Sequence, residues 1–156
     1  AAGGAVGKLR FDPMAMLPFC GYNMADYFAH WLSIGEKTSA EKLPQIFFVN
    51  WFRRDNDGRF LWPGYGENSR VLKWVFERIT GKGAAQKTAI GYLPDTNSLD
   101  VTGLTVSKDD LSALLTLDTA GWLEAVPQIR EHFANFGDRL PTKLKSSLDS
   151  LESALA

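Results

Sequence analysis

Seven aromatic residues, Phe47, Phe48, Trp51, Phe52, Phe60, Trp62 and Tyr65, crowd into nineteen consecutive positions. The whole chain holds 19 aromatic residues in 156, a rate that would place about two in such a window. Ordinary cores are rich in aliphatic side chains, whereas this stretch is flat-ringed and broken by Gly and polar residues. Gln45–Phe52 is β-branched and aromatic and too short for a helix of its own, so it reads as a buried strand. Arg53–Arg59 is polar and carries Asp57-Gly58, a strong turn signal, before Phe60-Leu61-Trp62 resumes the apolar pattern and Pro63-Gly64 turns the chain again. Two readings stand side by side. Ring faces a turn apart can sandwich a planar heterocycle, each stacked base contributing about 1–3 kcal/mol, with edge hydrogen bonds from the Gly64–Asn68 turn supplying selectivity. Alternatively the rings form an aromatic mini-core that closes a hairpin.

Elsewhere helix dominates. Met24, Tyr27, Phe28, Trp31 and Leu32 make one broad stripe, with Asn23 placed to cap it and Gly35 to stop it. Gly35–Lys42 is then a polar loop. A second helix opens at Asn68 or Ser69, carries Val71, Val75 and Ile79 with Leu72 and Phe76 beside them, and stops at Gly81. Ser107-Lys108-Asp109-Asp110 has the composition of a helix start before Leu111, Leu114 and Leu115. A further helix carries Trp122, Val126, Ile129 and Phe133, with Pro127 tolerable only near its first turn. Leu144, Leu148, Leu151 and Leu155 form a clean last stripe. Short strands are expected over Lys8–Asp12 and Ala89–Leu93, with Gly81–Lys87 as a linker. The expected class is α+β, helix-rich, with strands too few and scattered to complete a sheet.

Charge adds little. With 17 Lys+Arg against 18 Asp+Glu the net charge is −1, which gives no electrostatic reason to expect nucleic acid or an anionic membrane as a partner. No apolar run approaches the ~20 residues of a membrane span. Ala1–Gly7 lacks the basic start and apolar core of a signal peptide, and a lone cysteine, Cys20, suits a reducing compartment, so the cytoplasm is expected.

Catalytic chemistry is thin. Gly81-Lys82-Gly83 and Lys87-Thr88 lack the spacing of a phosphate-cradling loop. His30 and His132 fall on different expected helices; Asp26 and His30, four apart, read as an exposed ion pair rather than half a metal site. Cys20 has no flanking His or Lys to lower its pKa and reads as a small buried hydrophobe. Neither catalytic residues nor metal ligands are expected in this chain. Ala1–Gly7, all Gly, Ala and Val, is either a frayed terminus or the trailing half of a Gly/Ala-rich lid.

The runs Asp12-Pro13-Met14-Ala15-Met16, Pro18-Phe19, Gly21-Tyr22-Asn23, Lys42–Phe47, Asn50–Arg54 and above all Phe60–Arg70 closely resemble the C-terminal part of the GTP-dependent phosphoenolpyruvate carboxykinases. The resemblance is dense from Lys8 to Ile79, continues through Ile90-Gly91-Tyr92 and thins over the last fifty residues. It implies a carboxy-lyase that interconverts oxaloacetate and phosphoenolpyruvate with CO2, using GTP or ITP and divalent Mn or Mg. It implies that residues 1–7 are the trailing end of a mobile lid and residues 8–156 the C-terminal part of a nucleotide-binding lobe, with guanine held by segment 50–70. Phe52, Phe60 and Tyr65 would flank the base, Tyr65 standing where many members have Phe. The turn Tyr65-Gly66-Glu67-Asn68, Asn68 especially, would read its edge, and Trp51 and Trp62 would pack behind. The family's phosphate loop with its reactive Cys, its metal-binding Lys, His and Asp, and its oxaloacetate-binding arginines all precede this region, and Cys20 inherits no such role. The isolated chain is therefore expected to be inactive and the parent to act as a monomer. The rival reading is a non-catalytic aromatic-lined module that grips a peptide or carbohydrate.

Overall fold

The computed structural model describes residues 11, 12 and 16–156. They form two compact units, Pro44–Asp118 on one hand, and the described residues up to Leu43 together with Thr119–Ala156 on the other. Among the described residues there are five α-helices: α1 Met24–Glu36, α2 Asn68–Ile79, α3 Lys108–Leu115, α4 Thr119–Ala134 and α5 Thr142–Leu155. One antiparallel pair, β1 Gln86–Thr88 with β2 Gly91–Leu93, is the sheet. This is the helix-rich α+β class with an incomplete sheet. None of these helices is long and apolar enough to cross a membrane. The segment 1–7, read as a lid end, and most of the strand expected over Lys8–Asp12 lie outside the described residues.

In the Pro44–Asp118 unit the core gathers on Trp74 of α2, with Leu99 and Leu111 buried beside it and Phe47, Val75, Val101 and Leu115 packed around. Phe47 meets the Trp74 indole edge-on at 6.1 Å, and the indole Nε1–H donates to the Ala84 carbonyl at 2.9 Å. The inward face of α2 is thus centred on Trp74. Leu72, Phe76 and Ile79, expected on or beside the buried stripe, are exposed. Gly81, at φ 73°, ends α2 as expected, and the Lys82 and Gly83 amides donate to the Glu77 carbonyl at 2.8 and 2.9 Å. A Cβ on Gly83 would lie 3.0 Å from the Arg78 nitrogen, so the close return of the chain requires glycine there.

The buried strand expected over Gln45–Phe52 does not form. Burial alternates residue by residue, as on a strand: Phe47, Val49 and Trp51 are half-buried, whereas Ile46 is 90% exposed, Phe48 96% and Phe52 73%. The pleat pattern is present, but a strand also needs a ladder, and the only pairing this segment's neighbourhood makes among the described residues is a single bridge, Arg54 with Phe60. The strand expected over Ala89–Leu93 is likewise revised. Ala89-Ile90 is the turn of a hairpin in which Lys87 faces Tyr92, and part of the expected linker becomes β1.

In the other unit Asn23 caps α1, its Oδ1 accepting from the Ala25 amide at 2.9 Å. Gly35 lies inside the helix, which ends at Glu36. Asp26 pairs with Arg139 at 2.8 Å rather than with His30, because the i, i+4 geometry competes with a guanidinium brought in by tertiary folding. Cys20 is half-buried. α4 starts well before Pro127, which sits mid-helix where it leaves the Leu123 carbonyl without its usual amide donor; the burial of Val126 beside it helps hold the helix through this break. On α5 the expected stripe faces inward, with Leu148 and Leu155 buried and Leu144 and Leu151 half-buried.

Candidate functional site

The segment 50–70 is a tight hairpin followed by two turns and a helix start. Asp55 organises the hairpin: its Oδ1 accepts from the amides of Asp57 and Arg59 at 3.0 and 2.9 Å, a side chain taking over the donors that a turn would leave open. Gly58 adopts φ 81°, the left-handed conformation for which the Asp-Gly signal was read. The Leu61 amide donates to the Arg53 carbonyl at 3.0 Å and closes the hairpin.

This turn brings Phe52 and Phe60 together, ring centroids 6.3 Å apart and planes inclined by 60°. The Arg54 guanidinium lies 4.0 Å over the Phe60 ring, a cation–π contact that occupies one face. Both rings remain exposed. Tyr65 is 98% exposed and holds φ 47° directly after Gly64 at φ 75°. Two successive left-handed residues project the Tyr65 side chain out of the fold, at a backbone cost of order 1–3 kcal/mol for the non-glycine one. Tyr65-Gly66-Glu67 is a single 3-10 turn running straight into α2.

The turn spends its polar groups in an orderly way. Asn68 or Ser69 was expected to cap α2, but Glu67 occupies the cap position without a side-chain cap bond. The Ser69 hydroxyl donates back to the Gly66 carbonyl at 2.8 Å. Arg70 ties Glu67 at 2.6 Å to the Asp100 carbonyl at 2.8 Å. Asn68, half-buried, accepts through Oδ1 from the Trp62 Nε1–H at 3.0 Å. Trp62 itself is 5% exposed, in keeping with the packing role read for it, yet its one polar atom is aimed at the residue expected to read a base edge.

The basic residues of the segment are committed within the protein. Arg53 donates to the Leu114 and Thr116 carbonyls at the end of α3, 3.3 and 3.5 Å away, a favourable place for a cation. Arg59 binds Asp110 and Asp55, and the Asp110 hydrogen bond is the main reason its guanidinium is held above its ordinary pKa. Sequence reading missed these anchors, because Arg53 and its carbonyl partners, like Arg59 and Asp110, are joined across more than fifty positions, while the local pairs Asp55–Arg59 and Glu67–Arg70, at i, i+4 and i, i+3, went unread.

Among the described residues no three His, Cys, Asp or Glu side chains gather as metal ligands. A cleft of about 240 Å³ in the other unit is lined by Arg130, Phe133, Leu140, Lys145 and Leu148 among others. Its Arg130 is already held by Asp149 and Glu152 at 3.0 and 2.6 Å.

Residues 1–154 match the family described as phosphoenolpyruvate carboxykinase C-terminal P-loop domain. The chain is 58% identical over 156 residues to a phosphoenolpyruvate carboxykinase [GTP] of Neocallimastix frontalis, covering 99% of this chain and 26% of that protein. It is 53% identical over 151 residues to the protein of the same name from Treponema pallidum, with 96% and 24% covered, and 49% identical over 155 residues to that of Paenarthrobacter aurescens, with 99% and 26% covered. The chain thus spans about a quarter of the length of these relatives. A match over residues 1–154, which takes in the aromatic hairpin and the Tyr65–Asn68 turn, places the chain in the phosphoenolpyruvate carboxykinase C-terminal P-loop domain family.

Proposed function

We propose that this chain supplies the guanine pocket and part of the nucleotide-binding lobe of a GTP-dependent phosphoenolpyruvate carboxykinase, a carboxy-lyase that converts oxaloacetate and GTP to phosphoenolpyruvate, GDP and CO2. The observation that carries the pocket is the hairpin, which sets two exposed rings, Phe52 and Phe60, side by side and leads within a few residues to Asn68. Phe52, Phe60 and Tyr65 offer stacking faces for the base, and Gly66, Glu67 and Asn68 form the turn that meets its edge. Residues 1–7 are the trailing end of the lid, and 8–156 the rest of the lobe fragment. The divalent Mn or Mg, the phosphate loop and the oxaloacetate site belong to the remainder of a monomeric, cytoplasmic enzyme. In such chemistry most of the rate comes from positioning and charge stabilisation, and this segment's share is to fix the nucleotide by its base. The family match favours this reading over a peptide- or carbohydrate-gripping module.

The test is Asn68→Ala in the full-length carboxykinase, followed by calorimetry. GTP and ITP binding should weaken while metal and oxaloacetate binding hold; unchanged GTP affinity removes Asn68 from the site. Quenching of tryptophan fluorescence by GDP, and by neither a proline-rich peptide nor an oligosaccharide, separates the pocket from the module.

A further inference from the structure

The hydrogen bond between Trp62 and Asn68 fixes which atoms of the Asn68 amide remain for a ligand. An indole N–H can only donate. The atom 3.0 Å from Trp62 Nε1 is therefore the amide oxygen, since the reversed amide would set N–H against N–H. Trp62 is 5% exposed, so turning the amide over would take from its N–H the one protein acceptor it has in a largely buried position. The amide nitrogen points elsewhere. Glu67 rather than Asn68 takes the cap position of α2, and among the described residues the Asn68 side chain bonds only through Oδ1, to Trp62. Ahead of this group Gly64 and Tyr65 take successive left-handed conformations, and Arg70 pairs with the Glu67 carboxylate at 2.6 Å.

We propose that Trp62 is a specificity-determining positioning residue: by holding the Asn68 oxygen it makes Asn68 a donor-only group that accepts purines with an oxygen at position 6 and rejects those with an amino group there. Guanine and hypoxanthine present the O6 acceptor to such a donor pair. Adenine presents its 6-amino group, and two donors then face each other with neither satisfied. A site that leaves buried polar groups unpaired against the wrong ligand discriminates far more strongly than one that merely fits the right ligand less well. Trp62 need not touch the nucleotide to act in this way. The inference rests on the reading that Asn68 faces the base edge.

The experiment uses the full-length carboxykinase and calorimetric binding of GDP, IDP and ADP. Trp62→Phe keeps an aromatic ring and loses the N–H, so the preference of GDP and IDP over ADP should fall by at least about tenfold. Asn68→Asp is the second variant and leaves Trp62 intact. Its carboxylate still accepts from the indole but has no hydrogens to offer, so GDP and IDP should lose at least about tenfold relative to ADP. A Trp62→Phe protein that keeps its full GDP preference overturns the proposal, and so does an Asn68→Asp protein that binds GDP as the native one does. If Asn68→Ala leaves GDP binding untouched, the pocket reading itself has failed. If Asn68→Ala weakens GDP while Trp62→Phe leaves the base preference intact, only the orienting role is lost.

Discussion

Arg59 in the hairpin loop and Asp110 in the first turn of α3 are joined by two hydrogen bonds, 3.3 and 2.8 Å long. The fork geometry is the one in which guanidinium and carboxylate bind most firmly, and it fastens the loop between Phe52 and Phe60 to a helix about fifty residues further on. Ser107 adds a cap to the same helix start, accepting from the Asp110 amide at 3.0 Å. The Arg59 hydrogen bond, then that of Ser107, hold the Asp110 carboxyl below its ordinary 3.8.

Asp110→Asn should therefore loosen the hairpin more than it destabilises the protein. Exposed ion pairs contribute little, so a fall of about 1–3 °C in thermal midpoint is expected, with faster hydrogen exchange at the amides of residues 55–61. The acid response carries the sign. A carboxyl whose folded pKa is depressed contributes stability above its ordinary value and loses it as pH falls through the folded one. The native protein should accordingly lose more stability than Asp110→Asn between about pH 5 and pH 2. Equal losses would mean that the pair is not held in solution.

Phe52→Ala and Phe60→Ala separate the base pocket from an aromatic mini-core. Phe52 is largely exposed, so deleting its ring removes little buried area, and the change in unfolding free energy should stay within about 0.5 kcal/mol. Nucleotide binding by the full-length enzyme should weaken by about 1–3 kcal/mol for either variant. Phe60→Ala also removes the surface under Arg54 and should cost slightly more stability. Proteins that unfold earlier yet bind GDP normally would establish the mini-core instead.

Local signals were legible where a segment satisfies itself. Asn23 and Ser107 cap their helices as their positions suggest, Gly58 and Gly81 take left-handed turns, and the α5 leucines line one face. What was not legible depends on partners distant in sequence. Gln45–Phe52 has the alternation of a strand, and whether it becomes one is decided by a neighbouring strand that no local pattern announces. Periodicity set Leu72 and Phe76 beside the inward face of α2, but Trp74 buries more area and has an N–H that finds the Ala84 carbonyl, so it takes that face. For the candidate site, the sequence exposed the rings and Asn68, while the orientation of the Asn68 amide came only with the Trp62 geometry.

Trp74 is the keystone of the Pro44–Asp118 unit, and its two roles can be separated. Trp74→Ala removes a buried ring from contact with Phe47, Leu99 and Leu111 and should cost about 3–5 kcal/mol. Trp74→Phe keeps most of the apolar volume and deletes the bond to the Ala84 carbonyl. That carbonyl also accepts from the Ser98 hydroxyl at 3.1 Å, so it is not left unsatisfied and the cost should be much smaller. Adding Ser98→Ala to Trp74→Phe should then cost more than the two single changes summed, because only the double variant strands the carbonyl. Denaturant titration of the four proteins reads this directly, and strict additivity would refute it.

His132 provides the last test. Its ring lies on that of Phe11 with centroids 4.5 Å apart and planes 15° from parallel, and it meets Phe136 edge-on at 5.1 Å. Burial among these rings disfavours the charged imidazolium and holds the pKa below the ordinary 6.5. The unfolded chain then binds more protons than the folded one just below that value, so stability is full above about pH 6.5 and is lost as pH falls toward the folded pKa. The thermal midpoint should drop between about pH 7.5 and pH 5.5. His132→Phe keeps a flat ring against Phe11 without a titrating group, so this step should vanish from its pH profile. A step of the same size in His132→Phe would assign the pH dependence to another group.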